Sequence, residues 1–152
     1  MEKELYSISG VLNKGFRGHI SFTSVLPDEL DYLHIVFTFD KRDPDLEDVE
    51  MKQACLAAAQ ENNPEGLILA PMGEFLAKMP KSEMNCSVFI DDVCVGSAHR
   101  NVLTKEIMIS TEKSSEGFIP YRPKGVIRVV IHVQNVLHNG TNYTLQVLGG
   151  TE

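Results

Sequence analysis

Hydrophobic positions along much of this chain alternate with polar ones, the period expected of strands that bury one face. Leu33 to Phe39 is the clearest early case. Ile35, Phe37 and Phe39 fall on one side, and His34, Val36, Thr38 and Asp40 on the other. Two strands precede it: Leu5 to Leu12, where Tyr6 and Ile8 alternate, and β-rich His19 to Leu26, which stops at Pro27-Asp28. Met84 to Ile90 and Val93 to Ser97 flank Asp91-Asp92. A two-residue loop there predicts Ile90 opposite Val93, Phe89 opposite Cys94 and Cys86 opposite Ser97. Glu106 to Thr111 adds a strand with Ile107 and Ile109 on one face.

The strongest pattern is at the end. Val126 to Leu137 and Tyr143 to Leu148 flank Asn139-Gly140, a strong turn pair, and predict a closing hairpin. Ile127, Val129, Ile131 and Val133 should share a face with Tyr143, Leu145 and Val147. Only a three-residue loop, Asn139-Gly140-Thr141, unites them, pairing Val133 with Val147 and Leu137 with Tyr143.

One segment changes period. Asp43-Pro44-Asp45-Leu46-Glu47-Asp48 reads as a helix start: Asp43 can cap free amides, Pro44 suits the first position, and acids favour the positive dipole end. The helix should run to about Glu61, with Met51, Ala54, Cys55, Ala58 and Ala59 as its apolar stripe. Leu67 to Ala70 is a short strand candidate, and Pro71 to Met79 could hold a helical turn or two. About eight strands and one main helix result. Strands rarely alternate with helices, which argues against a doubly wound parallel sheet. The expected fold is mainly β: an antiparallel, jelly-roll-like β-sandwich in a single domain over residues 1–152, with the helix packed on an edge or face.

Composition narrows the function. The 152 residues are 43% hydrophobic and 23% charged, a folded protein's mix. Asp plus Glu is 21 against 14 for Lys plus Arg, a net charge of −7, which argues against a nucleic-acid partner. No run reaches membrane-spanning length, so no membrane partner is expected, and no secretory signal opens the chain. A cytoplasmic location is the expectation, and the N-x-Ser/Thr triplets at Asn85, Asn139 and Asn142 then read as chance matches. Cys55, Cys86 and Cys94 follow no zinc spacing and read as small buried hydrophobes. Cys86 should point with Val88 and Ile90, and Cys94 the other way, so the two should not bond to each other.

Candidate chemistry is sparse. No phosphate-binding glycine pattern, nucleophile elbow or H-E-x-x-H helix occurs, and no cofactor is expected. The acids Asp40, Asp43, Asp45, Glu47 and Asp48 lack the glycine and closing Glu of a calcium loop, so no metal is assigned. His99 and Arg100, just past a strand end, suit a loop that binds something polar. Ser97 beside His99 suggests a nucleophile and base, but no third acid is identifiable. Arg128, His132 and Gln134 project together from the polar face of their strand, as in sandwiches that grip sugars or peptides. Tyr121 and Arg122 lie in the stiff Phe118–Pro123 segment, a contact surface or a loop over the core edge. The absence of Trp counts against sugar stacking.

The stretch from Cys86 to Gly96, a strand, acidic turn and strand, resembles hairpins of jelly-roll and galactose-binding-like modules. The chain also resembles uncharacterised bacterial all-β domains. These resemblances imply a β-sandwich and carry no binding residue across. The expected function is a non-catalytic module for a carbohydrate or protein ligand, with a homodimer through sheet edges as a further expectation. The alternative is a small hydrolase or isomerase using His99 or His132 with a nearby carboxylate.

Overall fold

A computed structural model describes residues 1–45 and 80–152, together with Glu47, Glu50, Gln53 and Ala57. Eight strands are bounded among these residues: β1 (Glu2–Leu12), β2 (Gly18–Val25), β3 (Tyr32–Phe39), β4 (Glu83–Ile90), β5 (Val93–Ala98), β6 (Thr104–Ser110), β7 (Val126–Asn135) and β8 (Thr141–Gly150). They form two four-stranded sheets. Sheet I has the order β1-β8-β3-β6 and sheet II the order β2-β7-β4-β5. Every pairing is antiparallel.

Alternation explains how the sheets close on each other. Along β3, Leu33, Ile35, Phe37 and Phe39 are fully buried while the residues between them are half-buried. Leu145 and Val147 from β8 and Ile107 and Ile109 from β6 join them in sheet I. Ile127, Val129 and Ile131 from β7 and Met84, Cys86, Val88 and Ile90 from β4 face them from sheet II, in one hydrophobic cluster. The arrangement fits a β-sandwich.

The expected closing hairpin is not formed. β7 lies in sheet II and β8 in sheet I, so the segment after Asn135 carries the chain across the sandwich. Residues can share an interior either on one face of one sheet or on facing sides of two. Here Ile127 to Val133 and Tyr143 to Val147 meet by the second route. The crossing is held by the β1–β2 loop, where Lys14 N donates to Asn139 Oδ1 at 3.0 Å and Gly15 N to the Val136 carbonyl at 3.0 Å.

The β4–β5 hairpin is formed. Ile90 faces Val93 and Phe89 faces Cys94, across a turn where Asp91 and Asp92 both have positive φ (47° and 63°). A bulge between Val88 and Phe89 then shifts the register, so Cys86 faces Ala98, not Ser97, and Ser87 faces Ser97. Cys86 is buried as expected, but Cys94 is exposed, because it points with Phe89 to the outer side.

The helix expected over Asp43 to Glu61 lies largely outside the described residues. Of the described residues within it, Glu50, Gln53 and Ala57 are helical, but no helix is bounded among the described residues, so the packed helix is not borne out. Cys55, the Leu67–Ala70 strand and the Pro71–Met79 turns also lie outside them. At the start of that region Asp45 Oδ1, not Asp43, accepts an amide, from Glu47 N at 3.0 Å. Among the described residues no helix is long and apolar enough to cross a membrane.

One side of the sandwich is strapped shut. Residues 113–121 run along the outer edges of β5 and β6: Ile119 N donates to Val95 O, Ser97 N to Gly117 O, Ser115 N to Met108 O and Tyr121 N to Ser110 O. Gly96 is required there, since a Cβ would collide with the Gly117 carbonyl and the Phe118 ring.

Candidate functional site

Register brings five polar side chains to the outer face of sheet II, four of them linked in a row. His19 on β2 is directly opposite His132 on β7, and His132 is opposite Asn85 on β4. The bulge in the β4–β5 hairpin brings Ser97 opposite Ser87. The side chains are linked: Ser97 Oγ lies 2.7 Å from Ser87 Oγ, Ser87 Oγ 2.7 Å from His132 Nε2, and His132 Nδ1 2.7 Å from His19 Nδ1. The two rings meet edge to face, 4.8 Å between centroids.

Each contact needs one donor and one acceptor. The chain can therefore run from Ser97 toward His19 or in reverse, with neutral imidazoles in either sense. Burial, then the neighbouring charges of His19 and His99, hold His132 below the usual histidine range. Beside the row Asn85 is 8% exposed and its Oδ1 has no hydrogen-bond partner.

Ser97 also borders a cleft of about 720 Å³ between the ends of β5 and β6, lined by His99, Arg100, Lys105, Glu106 and Glu116 among others. His99 and Arg100 are exposed on the loop after β5. Arg42 fixes that loop by donating to the Asn101 carbonyl at 2.9 Å, while Asn101 Oδ1 is buried without a partner. Lys105 is only 4% exposed. Its Nζ donates to the Val102 carbonyl at 3.1 Å and sits over the Phe37 and Phe39 rings. Burial lowers its pKa, partly offset by Cys86 and Glu83. Burial pushes the Cys86 thiol and the Tyr6 hydroxyl each up to about 12.

The remaining residues singled out in the sequence are dispersed. Arg128 shares the outer face with His132, but its guanidinium stacks 4.2 Å over the Phe89 ring and lies 3.9 Å from Asp92, in a separate hollow. Gln134 is exposed, and its carbonyl accepts from Arg17. Tyr121 packs partly against the core and Arg122 is exposed. The segment around them thus covers the core edge.

Neither His99 nor His132 has a hydrogen bond or ion pair with a carboxylate among the described residues. That coupling belongs to His34, whose Nδ1 and Nε2 each lie 3.2 Å from a carboxylate, on Glu2 and Glu106. This tie across β1, β3 and β6 lies on the outside of sheet I. The acidic run makes local bonds: Asp40 accepts from Asn142 N and Nδ2, and Asp43 pairs with Arg42. Among the described residues no three metal-ligating side chains cluster.

Sequence reading missed His19, Ser87, Asn85 and Lys105. The signal for Ser87 was present in Gly96, since a glycine inside a strand pattern marks a bulge. His19 carried none, because its partner strand is remote in sequence.

None of the curated proteins matches the chain. A family model described as a family of unknown function (DUF6669) matches residues 1–151, and the chain belongs to that family.

Proposed function

We propose that this protein is a jelly-roll β-sandwich that binds a small polar ligand in the cleft between the ends of β5 and β6. The jelly-roll reading rests on topology. Among the eight described strands only β4 and β5 are consecutive within one sheet, and the other consecutive pairs lie in different sheets. The binding reading rests on one observation: a cleft of about 720 Å³ bordered by His99, Arg100, Glu106 and Glu116. That size suits a small molecule, and an exposed guanidinium beside carboxylates suits a ligand with hydroxyl and carboxyl groups. A panel of monosaccharides, sugar acids and amino acids, screened by amide chemical-shift changes, tests it. The expected result is a ligand that shifts residues 97–106 and loses this effect in His99→Ala/Arg100→Ala. No shift in this region with any member of the panel contradicts it.

We also propose a second copy of the chain as partner, pairing through β2. β5 and β6 are covered by the strap, and β1 carries Glu2, Lys3, Glu4 and a bulge. β2 has no Asp, Glu, Lys, Arg or Pro and pairs with β7 without a bulge. Such an edge is a template for antiparallel self-pairing. Sedimentation should show a concentration-dependent dimer that Thr23→Lys abolishes, and a monomer at all concentrations contradicts it.

A further inference from the structure

We propose that Ser97 is a nucleophile for acyl transfer to a carboxylic ester, activated by His132 through the hydroxyl of Ser87. The proposal deepens the cleft reading, since Ser97 borders that cleft. The geometry is that of a nucleophile, a base and a group that orients the base, with one hydroxyl interposed. Ser97 Oγ to Ser87 Oγ, Ser87 Oγ to His132 Nε2 and His132 Nδ1 to His19 Nδ1 are each 2.7 Å.

The polarity required is Ser97 O–H to Ser87, Ser87 O–H to His132 Nε2, and His132 Nδ1–H to His19. His19 is then a positioning residue, which fixes the His132 tautomer. Ser97 is partly exposed whereas Ser87 is buried, so Ser97 is the hydroxyl that substrate meets. In the step, Ser97 Oγ bonds to the ester carbonyl carbon. Its proton passes to Ser87 as Ser87 gives its own to His132. The bond to the alcohol oxygen breaks, and the proton returns from His132 through Ser87 to the leaving alkoxide. Water then repeats the sequence on the acyl-serine: its oxygen bonds to the carbonyl carbon, Ser97 leaves with a proton, and a carboxylic acid is released. Asn85, buried beside His132 with one unpartnered amide atom, adds a polar group that folding leaves unsatisfied.

A fluorophosphonate probe with peptide mapping, run beside p-nitrophenyl acetate hydrolysis, tests this on the full chain. Labelling is expected at Ser97 and absent in Ser97→Ala. Ser87→Ala and His132→Ala should slow it by about 100-fold or more, the usual contribution of a general base. Arg122→Ala should leave the rate unchanged. His19→Gln should shift the pH dependence of labelling. Circular dichroism shows that each variant is folded, and Ser87→Thr, which keeps the hydroxyl, should retain labelling if Ser87→Ala unfolds. No labelling at Ser97 in the folded protein, or a rate indifferent to His132→Ala, overturns the proposal. The probe does not depend on cleft affinity, so labelled Ser97 without any cleft ligand sinks the binding reading alone. A bound ligand with Ser97 unlabelled sinks this one alone.

Discussion

Lys105 Nζ stands 5.6 Å from the centre of the Phe39 ring, inside the sandwich rather than at its surface. A buried ammonium with one carbonyl acceptor carries a desolvation cost that the ring contacts only partly offset. Lys105→Met keeps the shape without the charge, and unfolding free energy at pH 7 should stay within about 1 kcal/mol of wild type or rise. Lys105→Ala leaves a cavity and should lose about 2–4 kcal/mol. Because the folded pKa is lowered, the unfolded chain binds more protons below pH 10.5. Wild-type stability should therefore gain on Lys105→Met as pH rises toward 10.5. Urea unfolding of the three proteins at pH 7 and 9.5 checks both statements.

Cys86 and Cys94 differ by one strand face, and their chemistry should differ accordingly. Cys94 is exposed and should react with a thiol reagent in the native protein, while buried Cys86 should react only on unfolding. Peptide mapping after timed labelling distinguishes them. The Cys86 thiol stays protonated to about 12 when folded but ionises near 9 when unfolded. Above pH 9 the folded state binds the extra proton, so this contribution to stability falls with rising pH. Cys86→Ala should flatten the fall between pH 9 and 10.5.

The imidazole row has the opposite pH sense. His132 titrates below 6.5 when folded, so below that pH the unfolded chain takes up more protons. Its contribution is complete above 6.5 and is lost as pH falls through the folded value. Melting temperatures between pH 7.5 and 5.5 should fall less in His132→Gln than in wild type. At pH 7.5 Ser87→Ala removes the link between Ser97 and His132 and should cost about 1–3 kcal/mol.

Gly96 holds the strap that covers β5 and β6. A methyl there meets the Gly117 carbonyl and the Phe118 ring, so Gly96→Ala must push the strap away. The expected loss is about 2 kcal/mol, with faster amide exchange at Ile119 and Tyr121, whose N–H groups bond to β5 and β6. Unchanged exchange at these two amides contradicts the account.

What was legible in the sequence was what depends on one strand at a time. The alternation along Tyr32–Phe39 and the positive-φ turn at Asp91-Asp92 follow from local sterics and burial. Which strands are neighbours was not legible. The faces of β7 and β8 suit either a hairpin or a crossing between sheets, and only the whole fold decides. The candidate site was lost for the same reason: His19 and His132 are 113 residues apart, and one bulge moves Ser97 from Cys86 to Ser87.

The nucleophile reading of the row across sheet II stands or falls on where the His132 proton resides. Long-range nitrogen–proton NMR at pH 7.5 reports this directly. The account predicts a neutral His132 protonated on Nδ1, with Nε2 accepting from Ser87, and a loss of that tautomer preference in Ser87→Ala. A His132 protonated on Nε2, or one that titrates as a free imidazole, would contradict it.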